Sequence, residues 1–180
     1  EMSKSGLFAH FQSRDNLQIA VLTYSAEVFR ERVIQPVRQQ QHGTQQEKLL
    51  ALLQAWLAWN QSFAGRCMFL DAWTSAQEGE VQQAARQLVR FWLDYLARQV
   101  VQGQEKGEWR RDLDPWRAVY RLYGLYLGDQ VFNALDLCQD PARHSWPEVE
   151  DLRPSWRGGS GASLSPQTKK HDRSPIKTTG

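Results

Sequence analysis

Four histidines and two cysteines are the residues of this 180-residue chain best suited to metal or nucleophilic chemistry, and their spacing argues against both. His10, His42, His144 and His171 share no i, i+4 relation with one another or with Cys67 or Cys138, so no helix face gathers the ligands that zinc needs. Cys67 would need a distant histidine as its base, and a lone cysteine opening an apolar segment usually serves packing. Gly158-Gly159-Ser160-Gly161 is followed by neither Lys-Thr nor a helix pattern and reads as linker, not a phosphate loop. The paired carboxylates Asp112/Asp114 and Glu78/Glu80 fall at turns and helix starts, where they cap. No catalytic residue, metal site or cofactor is expected, and the chain does not read as an enzyme.

Aromatic residues offer binding instead of catalysis. Trp56, Trp59 and Phe63 recur on one stripe, and Met68, Trp73, Trp92 and Tyr123 lie in other segments. Each could be ordinary core; together they could line a cavity for a small apolar or cationic effector.

The elements that must position these side chains are helical. Leu49, Leu52, Leu53, Trp56, Trp59 and Phe63 step by three and four after Gly43-Thr44. Val81, Ala85, Leu88, Val89, Trp92, Leu96 and Val100 do the same over about 81–101, with Gly103 and Gly107 expected to end that helix. Asp114-Pro115 reads as an N-cap with proline at the first helical position, opening a helix to about Leu137 that is apolar on more than half its circumference. Upstream, Ser13 and Asp15 start a helix that Pro36 is expected to interrupt. No alternating β-branched run bounded by hairpin signals occurs, so the fold class is all-α.

Composition sets the remaining limits. Lys and Arg total 22 against 20 Asp and Glu, a net +2, so any nucleic-acid contact must be local. From Ser155 to Gly180 eleven of 26 residues are Gly, Pro or Ser, too few apolar groups for a core. We read 141–180 as an irregular, disordered tail, 36–140 as a helical effector-binding and dimerisation domain, and 1–35 as the end of a preceding domain plus a connecting helix. The longest charge-free run, Leu49 to Gly65, contains Gln54, Asn60, Gln61 and Ser62 and is too short and polar to span a membrane. The two widely spaced cysteines suit reduced thiols in the cytoplasm. The chain opens on Glu1, not Met, and is read as a fragment.

The stretch Ser3-Lys4-Ser5-Gly6-Leu7-Phe8-Ala9-His10-Phe11 pairs Leu7 with Phe11 on an inward face and leaves Lys4, Ser5 and Ala9 on a thin outward one. A helix of about nine residues is marginal alone, so neighbours must brace it.

Residues 2–17, Met-Ser-Lys-Ser-Gly-Leu-Phe-Ala-His-Phe-Gln-Ser-Arg-Asp-Asn-Leu, resemble the end of the helix-turn-helix of the TetR family of transcriptional regulators. More loosely, Gly65-Arg66-Cys67-Met68-Phe69-Leu70 and Gly107–Pro115 resemble later segments of that family, extending the likeness to roughly residues 2–137. The resemblance implies a homodimeric regulator, a repressor released from its DNA operator by a small-molecule effector, whose subunits meet through about 81–103 and 115–137. It implies a recognition helix at about 3–11, with Lys4, Ser5 and Gly6 facing bases and Ser3, Phe8, His10 and Arg14 facing the backbone. Phe8 stands where the family often has Tyr, which removes one phosphate hydrogen bond. The first two helices of the family's DNA-binding unit are not in this sequence, so the alternative is a helical dimerisation or ligand-binding module without DNA contact.

Overall fold

In a computed structural model of the chain, the described residues are Gly6, 13–62, 67–75, 78–140 and 142–158, and every regular element among them is helical. The first long helix, α1 (Arg14–Phe29), starts at the expected cap: the Ser13 hydroxyl accepts from Asn16 N at 3.1 Å, and Asp15 lies in the first turn. Pro36 does not break the chain's course. A π-helical turn, Arg30–Ile34, leads directly into α2 (Gln35–Gln39), and Gln35 N bonds back to Arg30 O. The wider turn accommodates a proline that lacks an N–H and would crowd the carbonyl four residues before it.

Helix α3 (Gln45–Gln61) has its exposed first-turn amides filled from two directions. Thr44 Oγ1 accepts from Glu47 N at 3.1 Å, while the Glu108 carboxylate accepts from Gln45 N at 2.7 Å and Gln46 N at 3.1 Å. A negative charge at a helix start is favourable, and here it ties α3 to the distant segment that carries Glu108. Beside it, Gln45 and Gln99 are both buried and share a 3.0 Å side-chain hydrogen bond, with Lys106 Nζ donating to Gln45 Oε1 at 3.0 Å.

Helix α4 (Met68–Ser75) is short and has no fully buried residue. Helix α5 (Glu80–Glu105) is the centre of the bundle: α1, α3, α4 and α6 (Pro115–Ala134) all pack on it. Ala85, Leu96 and Val100 on this helix are completely buried, and a buried leucine or valine contributes roughly 1.5–3 kcal/mol. Gly103 does not end α5, as its type suggested. It lies within the helix because the Trp109 ring packs against its backbone, so closely that a Cβ there would collide with the indole. The stop comes at Gly107, with φ at 74°. There Gly107 N bonds Gln104 O and Glu108 N bonds Gly103 O, closing the end with a left-handed residue. The Asp114 cap of α6 is as expected, Oδ1 accepting from Trp116 N at 2.9 Å.

The irregular reading of 141–180 is corrected in its first part, because Ala142–Trp156 is a helix, α7, containing Pro147 and Pro154. Those prolines and the polar surroundings hid a stripe, Trp146, Val149, Leu152 and Trp156, that packs on the core. Trp156 meets Trp109 edge-on at 5.3 Å, and its carbonyl accepts from Arg110 N at 2.8 Å. Burial of these side chains outweighs the proline penalties, which propensity alone cannot show. Residues 159–180 lie outside the described residues. No helix among the described residues is long and apolar enough to cross a membrane, and Cys67 and Cys138 are free thiols.

A buried carboxyl joins α6 to α7. Ser145 Oγ donates to Asp129 Oδ2 at 2.6 Å. Burial pushes the Asp129 carboxyl above its ordinary value and Asp140 adds to this, while the Ser145 bond and His144 oppose it. The folded state therefore holds this proton to higher pH than the unfolded chain, whose aspartates titrate near about 3.9. Its contribution to stability is highest below that value and is lost as pH rises through the raised folded value. Asp129→Asn, which keeps an acceptor for Ser145, is expected to be more stable than the parent at neutral pH and to lose that difference on acidification. Urea melts at several pH values check this; a variant destabilised at pH 7 would contradict it.

Candidate functional site

The helices enclose a cavity of about 290 Å³ with a predominantly apolar wall. Phe29, Arg30 and Ile34 enter from α1 and the π-helical turn, Trp56, Trp59 and Asn60 from α3, and Cys67, Met68 and Phe69 from the start of α4. Leu88, Val89 and Trp92 come from α5, Tyr123 and Tyr126 from α6. The aromatic rings also hold one another. Trp92 meets Phe29 edge-on at 5.0 Å and Trp56 at 5.4 Å, and Trp56 packs on Tyr126 at 4.1 Å. Such pairs add about 0.5–1.5 kcal/mol each beyond area, so the wall is both core and binding surface.

Charge is confined to the rim. Glu27 and Arg30 line the cavity from exposed positions on α1 and the π-helical turn. Inside, burial pushes Tyr123 up to about 12, and burial followed by the Cys67 thiol pushes Tyr126 well above the ordinary tyrosine range. Both phenols therefore stay protonated donors at neutral pH.

The aromatic residues singled out in the sequence divide as follows. Trp56, Trp59, Met68, Trp92 and Tyr123 line this one cavity. Trp73 does not: it lies on α4, 41% exposed. Phe63 lies outside the described residues. Sequence reasoning missed Phe29, Asn60 and Tyr126. Asn60 and Tyr126 had a readable signal, since Asn60 follows Trp56 by four and Tyr126 follows Tyr123 by three, each on the same face as its aromatic partner. Phe29 had none, because its inward direction depends on how α1 crosses α5.

A wider cleft of about 820 Å³ runs between the starts of α1 and α5, lined by the exposed charges Arg14, Asp15, Glu78 and Glu80. Of the residues assigned to DNA by resemblance, Ser3, Lys4, Ser5, Phe8 and His10 lie outside the described residues. Gly6 is helical and exposed, and Arg14 is the exposed first residue of α1. Among the described residues no group of three His, Cys, Asp or Glu side chains is placed to hold a metal ion.

Comparison with known proteins matches residues 46–146 to the family described as Tetracyclin repressor-like, C-terminal domain. The match takes in α3 through the start of α7 and spans more than half of the chain. The chain belongs to the TetR family. The fold agrees with that of AibR, solved in complex with isovaleryl coenzyme A and operator DNA, at 21% identity and a TM-score of 0.64 over 85% of this chain and 82% of that one. It agrees also with the fatty acid degradation regulator FadR from Bacillus halodurans, at 15% identity and a TM-score of 0.69 over 87% of this chain and 83% of that one. No curated protein sequence matches the chain. As a TetR-family chain it carries the aromatic cavity in the region that the family match covers, apart from the wall supplied by α1 and the π-helical turn.

Proposed function

We propose that the protein is a ligand-responsive transcriptional regulator: a homodimeric repressor, not an enzyme, released from operator DNA when a small, mainly apolar molecule occupies the aromatic cavity. One observation carries this reading. The cavity wall includes Thr23, Ala26 and Phe29 of α1, and α1 begins at Arg14, immediately after the segment that resembles a recognition helix. Sixteen helical residues span about 24 Å, so a rigid α1 can transmit displacement from the cavity to its own start. AibR binds isovaleryl coenzyme A in its complex, and a cavity of about 290 Å³ suits the branched acyl end of such a thioester.

Dimerisation has a surface to use. On α6, Tyr120 is 79% exposed and Val131 51%, and Gly124 and Gly128 between them have open space above their backbones. Phe91 and Val101 on α5 and Phe132 on α6 are exposed as well. An apolar stripe on the last two long helices supports a four-helix seam between two subunits.

Selection of binding sites from random duplex DNA by the full-length protein tests the reading. A two-fold symmetric motif with half-sites about one helical turn apart, bound with steep salt dependence, is expected. No enriched sequence would leave the dimerisation or ligand-binding module without DNA contact as the better account.

A further inference from the structure

Four cations gather where α2 and α5 flank the start of α3, and none of them has an acidic partner. On α5, Tyr95, Arg98, Gln102 and Lys106 follow at three- and four-residue steps and share one face. On α3, Lys48 stands one turn beyond Gln45, and α3 packs on both α2 and α5. The buried Gln45 side chain fixes that crossing: its Nε2 donates to Gln102 Oε1 at 3.4 Å, and Lys106 Nζ donates to its Oε1 at 3.0 Å. Arg98 stands over the Tyr95 ring at 6.0 Å, and Arg38 of α2 lies within electrostatic reach of both Tyr95 and Lys48. Among the described residues no carboxylate forms an ion pair with Arg38, Lys48, Arg98 or Lys106. Glu47 and Glu108 accept instead from the amides of Gly43 and of Gln45 and Gln46, and Asp94 pairs with Arg90. Burial lowers the Lys48 ammonium below its ordinary value and the charges of Lys106 and Arg38 lower it further, a repulsion that an anion would relieve.

A single carboxylate would leave most of this repulsion in place. A phosphate ester or diphosphate brings several charges and several acceptor oxygens to guanidinium and ammonium donors at once. Operator DNA is not the source of that phosphate. Arg14 to Arg38 is one continuous helical run of about 35 Å, so the cluster lies at the far end of that run from the segment resembling a recognition helix. The cavity is much nearer. Phe91, exposed at its edge, precedes Tyr95 and Arg98 by one and two turns on α5, about 6 and 10 Å. Arg30 at the rim precedes Arg38 by about 12 Å on the other wall. We infer that Arg38, Lys48, Arg98 and Lys106 form a phosphate site beside the cavity mouth, and that the effector joins an apolar end held in the cavity to a multiply charged phosphate ester held on this cluster.

This inference rests on the cavity being the effector site, and one calorimetric experiment on the full-length protein separates the two. The probes are isovaleryl coenzyme A, S-isovaleryl-N-acetylcysteamine, which keeps the acyl thioester and lacks every phosphate, and inorganic pyrophosphate. Arg38→Gln and Arg98→Gln each remove one exposed charge and leave the cavity wall intact. The parent is expected to bind the coenzyme A thioester about tenfold or more tighter than the truncated one, and to bind pyrophosphate in competition with the former alone. Each variant is expected to lower coenzyme A thioester affinity by about three- to tenfold and to leave the truncated thioester unchanged. Coenzyme A thioester affinity unchanged in both variants, or lowered equally for both thioesters, would overturn the phosphate site while leaving the effector cavity standing. Pyrophosphate binding weakened by both variants, with neither thioester bound by the parent, would overturn the cavity as effector site and the two-ended effector with it.

Discussion

Replacing Trp92 by Ala is expected to cost about 3–5 kcal/mol of folding stability and to abolish ligand binding in the cavity. The indole joins three helices at once, edge-on to Phe29 of α1 and to Trp56 of α3 and stacked at 5.9 Å on Tyr95 of its own helix. Truncation leaves a void continuous with an existing cavity, so little of the lost contact is recovered by collapse. Trp73→Ala makes the control: the same change of residue type at a 41% exposed site on α4 should shift stability by less than about 1 kcal/mol. Chemical denaturation of both variants decides it, and equal losses would mean that the aromatic cluster is not the structural centre described.

The second large effect concerns assembly. Val131→Asp, on the exposed face of α6, is expected to weaken self-association at least a thousandfold, turning a dimer at micromolar concentration into a monomer. The side chain is 51% exposed within one subunit, so the charge costs the single chain little. In a two-fold seam the charge would be taken out of water twice, and about 4 kcal/mol corresponds to three decades in affinity. Sedimentation velocity reads the outcome. A parent already monomeric, or a variant still dimeric, would remove the seam from α6.

The elements were readable from the sequence where local chemistry decides them. Ser13 and Asp114 stand where the caps were expected, and the apolar steps of α3, α5 and α6 give those helices to within a few residues. What was not legible depended on distant partners. Gly103 sits mid-helix because Trp109 folds back onto it, and α7 forms despite Pro147 and Pro154 because Trp156 has Trp109 to pack against. The π-helical turn at Arg30–Ile34 solves a problem that Pro36 posed, and no spacing rule announces it. The cavity was half legible for the same reason. A stripe of tryptophans marks a helix face, but whether that face closes on core or on space is set by how α1, α3, α5 and α6 cross.

In the proposed regulator the cavity and the DNA contact are coupled through α1. Coupling of this kind is a free energy shared by both ligands, so each must weaken the other by the same factor. The most direct measurement is the affinity of the full-length protein for its selected operator with and without saturating isovaleryl coenzyme A, together with the affinity for isovaleryl coenzyme A with and without operator. Operator affinity is expected to fall at least tenfold and thioester affinity to fall by the matching factor. Isovaleryl coenzyme A bound in the cavity with operator affinity unchanged would contradict the coupling.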